Sequence, residues 1–553
     1  MAETFNLADY YLFDRIAQGR GNHPAILFGE QRHSYRDVAD KTRALSAHLI
    51  AAGVGRGQRV LIVLHDTPAF VWSLFATLRA GCIVAMGNPN VPAKDLAYLV
   101  EYTRAGAIIT TPKVAAAIAS SLSANHCHVI VTAAIATGDE VLSPVRIPSA
   151  LPQAITLADA LRQGADPALP DQRHTHRDDP AMWLFTSGST GRSKAAMHAH
   201  RDFAFNTERY AINTVGYTAD DITVSVPRLF FGYATGTNLL FPFRVGATTA
   251  LFTERPTADS LAAAIERHQP TIVTNVPTMM GKLLDDDDSR VAAKQPSLDM
   301  SSVRFHLSAG EALPPALLSR FTQRFGGEVY DGIGSAEMFH IYCSNRPGDV
   351  KPGSLGRAVE GYTLRILPVE AEGAGAAAVA SGETGVMWVK GDSVAFGYYQ
   401  DREKSWSTFH GHWCRTGDLF RVDSAGYHYF EGRADNLLKV GGIWVAPVEV
   451  EKCLMEHDAI SAAAVIGAPF DGLIKPKAFV VLREQSRQAA AVSQVKRAAL
   501  IAALKEHVQA RLSKHKYPRH IVILDELPKN DRGKVDKKAL KQRDAAGEWA
   551  QHK

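Results

Sequence analysis

Trp183-Leu-Phe-Thr-Ser-Gly-Ser-Thr-Gly-Arg-Ser-Lys194 begins as an apolar strand and passes without a break into a segment suited to holding phosphate. Gly188 and Gly191 permit backbone angles that expose consecutive N–H groups. The hydroxyls of Thr186, Ser187, Ser189 and Thr190 add neutral donors, and Arg192 and Lys194 add positive charge. A polyphosphate such as ATP is the expected ligand. The Gly-x-x-Gly-x-x-Lys spacing departs from both Gly-x-x-x-x-Gly-Lys-Ser/Thr and Gly-x-Gly-x-x-Gly. A plain connecting turn of Gly, Ser and Thr is the competing reading.

On both sides of this segment, strand-like and helix-like patterns alternate. Arg59 to Leu64 is an apolar strand run, Pro68 to Ala80 carries helical spacing, and Cys82 to Met86, Ala107 to Thr110 and Val129 to Thr132 repeat the strand theme. This rhythm predicts an α/β fold of mainly parallel sheets covered by helices. The strand ending at Thr186 therefore delivers the glycine-rich loop to a strand end, where α/β proteins bind ligands. Glu370 to Gly385 reads as a surface loop. After Ala446 the pattern becomes α+β: helix from Pro447 to His457, strands at Ala462 to Ile466 and Ala478 to Leu482, a long helix from about Val492 to Leu512, and a strand at His520 to Leu524.

At 553 residues and 46% hydrophobic, the chain exceeds one core, so two or more domains are expected. A net charge of +4 without a basic block points to a small-molecule partner rather than nucleic acid. The five cysteines are scattered and lack Cys-x-x-Cys spacing, which predicts reduced thiols. Charged residues Glu3, Asp9, Asp14 and Arg15 interrupt any secretory apolar region, and no apolar run reaches membrane-spanning length. A cytoplasmic protein is expected. His126 and His128 flank Cys127 without a second ligand cluster, and the run Asp285 to Asp288 reads as a solvated loop.

Four further segments follow in order: Asp331-Gly-Ile-Gly-Ser-Ala-Glu337, Arg415-Thr-Gly-Asp418, Glu431-Gly-Arg-Ala-Asp435 and Pro528-Lys-Asn-Asp-Arg-Gly-Lys534. Together with the opening loop, their identity and order resemble the acyl-adenylate-forming superfamily, over nearly the whole chain. Arg228-Leu-Phe-Phe-Gly-Tyr233, Gly332 to His340 and Lys439 to Pro447 look most like benzoate-CoA ligases and related aryl-CoA ligases. The resemblance implies a large N-terminal adenylation domain (1–434) and a small mobile C-terminal domain (435–553), with Asp435 as the hinge.

The implied reaction joins a carboxylate to the α-phosphate of ATP and then passes the acyl group to a thiol. Charge must be neutralised where two anions meet. By the resemblance, Lys194 and the loop residues Thr186 to Gly191 cradle phosphates, Glu337 carries Mg2+, and Lys534 bridges the carboxylate and the α-phosphate. Asp418 accepts the ribose hydroxyls, as two carboxylate oxygens suit a diol. Arg433 assists, while Gly310, Glu311, Asp331, Gly332 and Ser335 complete the nucleotide site. A simple surface pairing of Arg433 with Asp435 is the competing reading.

Two stretches depart from the family pattern. The loop ends Ser193-Lys194-Ala195 instead of Pro-Lys-Gly, and Ala336 replaces a phosphate-touching Thr, a loss that Ser335 or a water could make good. Few residues follow Lys534, so a free thiol acceptor is expected: coenzyme A, with Gly441, Gly442, Ile443 and Trp444 lining its tunnel. A carrier protein supplied in trans stays open. The acid is expected to be a benzoate, hydroxybenzoate or aminobenzoate, in a pocket of Gly232, Tyr233, Ala309, Ile333, Gly334 and His340. Short or medium-chain acids, and a non-catalytic acyl- or nucleotide-binding protein, are the alternatives.

Overall fold

Helix Pro68–Arg79 is apolar on every side and all its residues are buried. A helix of that kind belongs inside a protein, not on its surface. Its two polar hydroxyls are satisfied within the helix, Ser73 donating to Ala69 O (2.6 Å) and Thr77 to Ser73 O (2.7 Å). Its one charge, on buried Arg79, pairs with Asp9 (3.1 Å) and Asp171 (2.9 Å).

The computed structural model describes residues 1–133, 142–187, 192–440, 443–470, 473–483, 486–487, 494–529 and 535–549. Two large sheets dominate. In one of seven strands, the order runs from Ile155–Thr156 through His128–Val131, Ala107–Thr110, Arg59–Val63, Ile83–Met86 and Pro180–Ser187 to Ser193–Ala199. All its neighbours are parallel except the last pair. In the other, of nine strands, Pro24–Phe28, Thr248–Leu251, Ile222–Ser225, Ile272–Asn275, Phe305–Ala309 and Glu328–Gly334 run parallel, with antiparallel strands at both edges. One continuous core joins the sheets: Ile62, Leu184, Phe75, Leu307 and Tyr330 all belong to it. This is the α/β architecture expected from the strand and helix rhythm.

A third, antiparallel sheet contains Thr363–Leu367, Gly385–Lys390, Trp413–Val422 and His428–Arg433. The stretch read as a surface loop joins its first two strands.

The C-terminal unit has its own core, in which Leu438, Val440 and Val445 pack with Val450, Leu454, Ile460, Val480 and Leu504. Its sheet of Ile460–Phe470, Leu473–Leu482 and His520–Leu524 is flanked by helices Pro447–Met455 and Gln494–Arg511. The change of core is abrupt. Ala434 and Leu437 pack against Leu367, Trp388 and Leu419 of the antiparallel sheet, whereas Leu438 belongs to the C-terminal cluster.

The acidic run Asp285 to Asp288 is not a loop. It lies in helix Pro277–Ala292, whose apolar face at Met279, Met280, Leu283 and Leu284 carries the helix through it. Asp287 is buried and accepts from Ser297 Oγ (2.9 Å) and Leu298 N (2.7 Å), with Arg324 as its ion-pair partner. Among the described residues no helix is long and apolar enough to cross a membrane.

Candidate active site

The two strands that flank the glycine-rich segment, Pro180–Ser187 and Ser193–Ala199, pair antiparallel, with Thr186 opposite Lys194 and Ser187 opposite Ser193. Gly188, Ser189, Thr190 and Gly191 lie outside the described residues. Lys194 therefore projects from a strand, not from the helix N-terminus that closes other phosphate loops. Its Nζ lies 3.6 Å from the ring centroid of Tyr398. The Tyr398 hydroxyl donates to Glu337 Oε1 at 2.6 Å. Burial lowers the Lys194 pKa, and the nearby Glu337 carboxylate works against that shift.

Two backbone contacts bring these residues together. A bridge pairs Ala196 with Tyr398, and Ala395 N donates to Glu337 O at 2.9 Å. A third brace comes from buried His198, whose Nε2 donates to Ala336 O (2.7 Å) while Nδ1 faces Asp202 Oδ2 (3.0 Å). Tyr398 and His198 were absent from the sequence reading. For His198, the Asp202 spacing of four residues at a helix start was the available signal; Tyr398 offers none locally. Ser335 Oγ, next to this turn, is buried without a hydrogen-bond partner among the described residues.

Asp418 and Arg433 face each other across neighbouring strands, with Arg433 Nη1 donating to Asp418 Oδ1 at 3.0 Å. Arg433 also reaches Asp435 at 3.3 Å. The surface pairing with Asp435 is thus present, and the contact with Asp418 adds a second partner that was not expected from the sequence. The two acidic positions lie near the lysine: the buried Cys414 thiol is raised first by burial, then by Glu337 and Asp418, with Lys194 opposing. Residues from four separated segments converge here.

Behind them, Ala309 and Gly332 are partners in neighbouring strands. Gly310 turns the chain with φ +88, a backbone angle favoured by glycine. Glu311 Oε2 accepts from Thr278 N (3.0 Å) and Thr278 Oγ1 (2.6 Å), which ties it to the start of helix Pro277–Ala292. Asp331 is buried, and burial pushes its carboxyl up to about 8 against hydrogen bonds from Ser308 and the Gly332 backbone. Near neutral pH this group holds its proton.

The rings of Tyr233 and His340 lie 5.3 Å apart between centroids, tilted by 34°. His340 Nε2 donates to Tyr233 O at 2.9 Å, which leaves Nδ1 as an acceptor. Burial pulls the His340 pKa down to about 4, so the ring is neutral. Its Nδ1 and the Tyr233 hydroxyl are both buried without partners among the described residues. Ile333 is half-buried against the central core. A Cβ on Gly334 would lie 2.5 Å from the backbone of His340, so Gly334 is required by the chain's own close approach. At Gly232 a Cβ would meet Leu184 at 3.4 Å, an ordinary contact.

Gly441, Gly442 and Lys534 lie outside the described residues. Ile443 and Trp444 are placed by their backbones in a hairpin, opposite Val440 and Lys439. On either side of residues 530–534, Lys529 and Val535 pair in a bridge. His128 meets His48, Nε2 to Nε2 at 3.0 Å.

The sequence matches the family described as AMP-binding enzyme over residues 13–399, and the C-terminal domain of AMP-binding enzymes over residues 449–534. It is 35% identical to a 4-hydroxybenzoate–CoA/benzoate–CoA ligase of Rhodopseudomonas palustris, over 98% of this chain and 95% of that protein. The fold is similar to an anthranilate CoA ligase solved in complex with anthranoyl-AMP (TM-score 0.84, 32% identity, 99% of this chain and 98% of that one). It is also similar to a benzoate CoA ligase from Burkholderia xenovorans (TM-score 0.82, 34% identity, 97% and 99%). The converging lysine, carboxylates and arginine thus sit in a chain that belongs to the AMP-binding enzymes, with the adenylate-forming fold of aryl-CoA ligases.

Proposed function

We propose that this chain is an ATP-dependent aryl-acid–CoA ligase. The carrying observation is the Lys194–Tyr398–Glu337 arrangement, which sets a cation and a carboxylate beside the glycine-rich hairpin. In the first step a carboxylate oxygen of the acid attacks the α-phosphorus of ATP; a P–O bond forms, the bond to the β-phosphate oxygen breaks, and pyrophosphate leaves. In the second, a thiol sulfur attacks the acyl carbon, AMP leaves and the thiol proton passes to solvent. The product is a thioester.

In this reading Lys194 and the hairpin amides hold the leaving pyrophosphate. Asp418, steadied by Arg433, accepts the ribose hydroxyls, and the strand ends at Ala309 to Glu311 and Asp331 to Ser335 bound the nucleotide. Ser335, whose hydroxyl is buried without a partner among the described residues, supplies the hydroxyl that Ala336 lacks. Lys534 bridges the two anions, and Gly441, Gly442, Ile443 and Trp444 form the thiol's path. A Mg2+ ion fits the site because Glu337 offers a hard oxygen donor, one of whose oxygens is oriented by Tyr398. When bound, it neutralises phosphate charge.

The chain divides at 434/435, with Asp435 as hinge. The change of packing partner between Leu437 and Leu438 supports this division. For the acid, the relatives act on benzoate, hydroxybenzoate or anthranilate, and Tyr233, Ile333 and His340 supply a flat apolar slot with two polar atoms to spare. The test is a panel of aryl and alkyl acids with ATP, Mg2+ and coenzyme A, read for pyrophosphate and by mass spectrometry for thioester. Acid-dependent pyrophosphate and an aryl-CoA product are expected. Pyrophosphate without a CoA thioester would remove the acceptor assignment, and no acid dependence would remove the enzyme.

A further inference from the structure

Three potential metal-ligating groups meet in the C-terminal unit, outside the site described above. Cys453 lies near the end of helix Pro447–Met455, Glu456 follows as its C-cap, and His507 comes from helix Gln494–Arg511. The Cys453 sulfur, a Glu456 carboxylate oxygen and a His507 ring nitrogen all lie within 4.8 Å of one another. Cys453 and Glu456 are three residues apart at the helix end, so both can reach one side. His507 arrives from the facing helix.

We propose that Cys453, Glu456 and His507 bind a divalent transition metal ion, with zinc the best match. Thiolate, imidazole and carboxylate are the donors zinc takes, and three protein ligands leave a fourth position for water. Ligand distances of about 2.0–2.3 Å to one ion require the three atoms to draw in by roughly an ångström. His507 is already oriented, its Nε2 donating to the carbonyl of Cys453 at 2.9 Å, and histidine ligands are commonly held in this way by a backbone carbonyl. No described residue accepts a hydrogen bond from the Cys453 sulfur. Burial and the Glu456 carboxylate push that thiol up to about 11, so metal binding must release its proton to solvent.

The surroundings set the competition. Arg511 Nε lies 3.7 Å from Glu456 Oε2 and must yield that carboxylate. The His457 ring stands edge-on to His507 at 5.2 Å, and its Nδ1 accepts from Ala459 N at 3.2 Å. The same helix carries Lys452, whose Nζ donates to Phe430 O at 2.6 Å in the antiparallel sheet. A bound ion would pin together two helices of the unit, one of which also reaches the antiparallel sheet through Lys452.

The experiment uses the full chain, stripped of metal, titrated with Co2+ and then with Zn2+. A thiolate-to-cobalt charge-transfer band at one equivalent is expected, bleached by Zn2+, together with a rise in thermal midpoint with Zn2+. Cys453→Ser should abolish the band and weaken Zn2+ at least tenfold, and His507→Ala should weaken it similarly. Cys127→Ser, which alters the half-buried thiol elsewhere, should change neither. Circular dichroism of each metal-free variant checks folding, and Glu456→Gln at the surface tests the same site without touching a buried group. No band in the wild-type protein, or Zn2+ affinity unchanged in the Cys453, His507 and Glu456 variants, would overturn the proposal.

Discussion

The Tyr398 hydroxyl donates to Glu337 Oε1 across 2.6 Å while the face of the same ring receives the Lys194 ammonium at 3.6 Å. One side chain thus serves a cation and an anion at once, and the two contacts can be separated. Tyr398→Phe keeps the ring face and deletes the hydrogen bond. A hydrogen bond to a charged group contributes about 1.5–3 kcal/mol. Acid-dependent pyrophosphate release should fall about tenfold or more, with the Mg2+ half-saturation point displaced and the acid's KM little changed. Tyr398→Leu should do worse, because it removes the ring face as well. Equal rates for wild type and the Phe variant would show that the hydrogen bond does not orient Glu337.

Lys534→Ala separates the half-reactions. A lysine on the C-terminal unit can act in the first step and be carried off before the second if the unit turns about Asp435. Pyrophosphate release should fall by at least a hundredfold, while thioester formation from a pre-made acyl adenylate should persist. Gly441→Leu and Gly442→Leu should do the reverse. Equal loss in both half-reactions would sink the alternation.

How far these positions were legible follows from where their partners lie. Asp418 and Arg433 could be read because each sits in a short phrase that repeats the family pattern, Lys194 because it ends a run rich in glycine and hydroxyls even though Ser193 and Ala195 depart from that pattern, and the parallel sheets because buried strands are continuous apolar runs. Tyr398 is brought to Lys194 by backbone pairing of residues 396–399 with 195–197, and no local spacing announces a pairing so distant in sequence. The helix through Asp285 to Asp288 was missed because four carboxylates in a row look solvated; the partners that neutralise Asp287, Arg324 and Leu298 N, come from the following segments. Gly334 looked like space for a ring, yet its missing Cβ makes room for the backbone of His340.

Stability should depend on pH in two opposed ways. His306 is buried with neither ring nitrogen partnered among the described residues, and burial pulls its pKa down to about 4 from 6.5. Between those values the unfolded chain binds a proton that the folded chain refuses, so stability falls as pH drops from 6.5 toward 4. Asp331, raised to about 8, does the opposite: the folded chain keeps a proton that the unfolded chain has lost, so stability falls as pH rises toward 8. Denaturation midpoints from pH 6.5 to 8 should therefore decline less in Asp331→Asn than in the wild type, and His306→Phe should flatten the acid side. Parallel curves for variant and wild type would remove the corresponding group.

The acid slot gives the last prediction. Tyr233→Ala should weaken aryl-acid use through lost ring contact, about 1.5–3 kcal/mol, or roughly tenfold to somewhat over a hundredfold in kcat/KM, with alkyl acids suffering less. His340 acts differently. Its Nε2 is committed to the Tyr233 carbonyl and its Nδ1 is a buried acceptor, so a hydroxyl or amino group on the acid's ring can satisfy that nitrogen where a bare ring cannot. A site that hydrogen-bonds a substituent discriminates more strongly than one that merely accommodates it. His340→Ala should therefore reorder hydroxy-, amino- and unsubstituted benzoates while leaving the KM for ATP nearly unchanged. Because the ring stays neutral above about pH 5 given its depressed pKa, the wild-type ranking should be the same at pH 6 and pH 8. A ranking that changes across that range, or a variant that weakens ATP and acid alike, would take His340 out of the acid pocket.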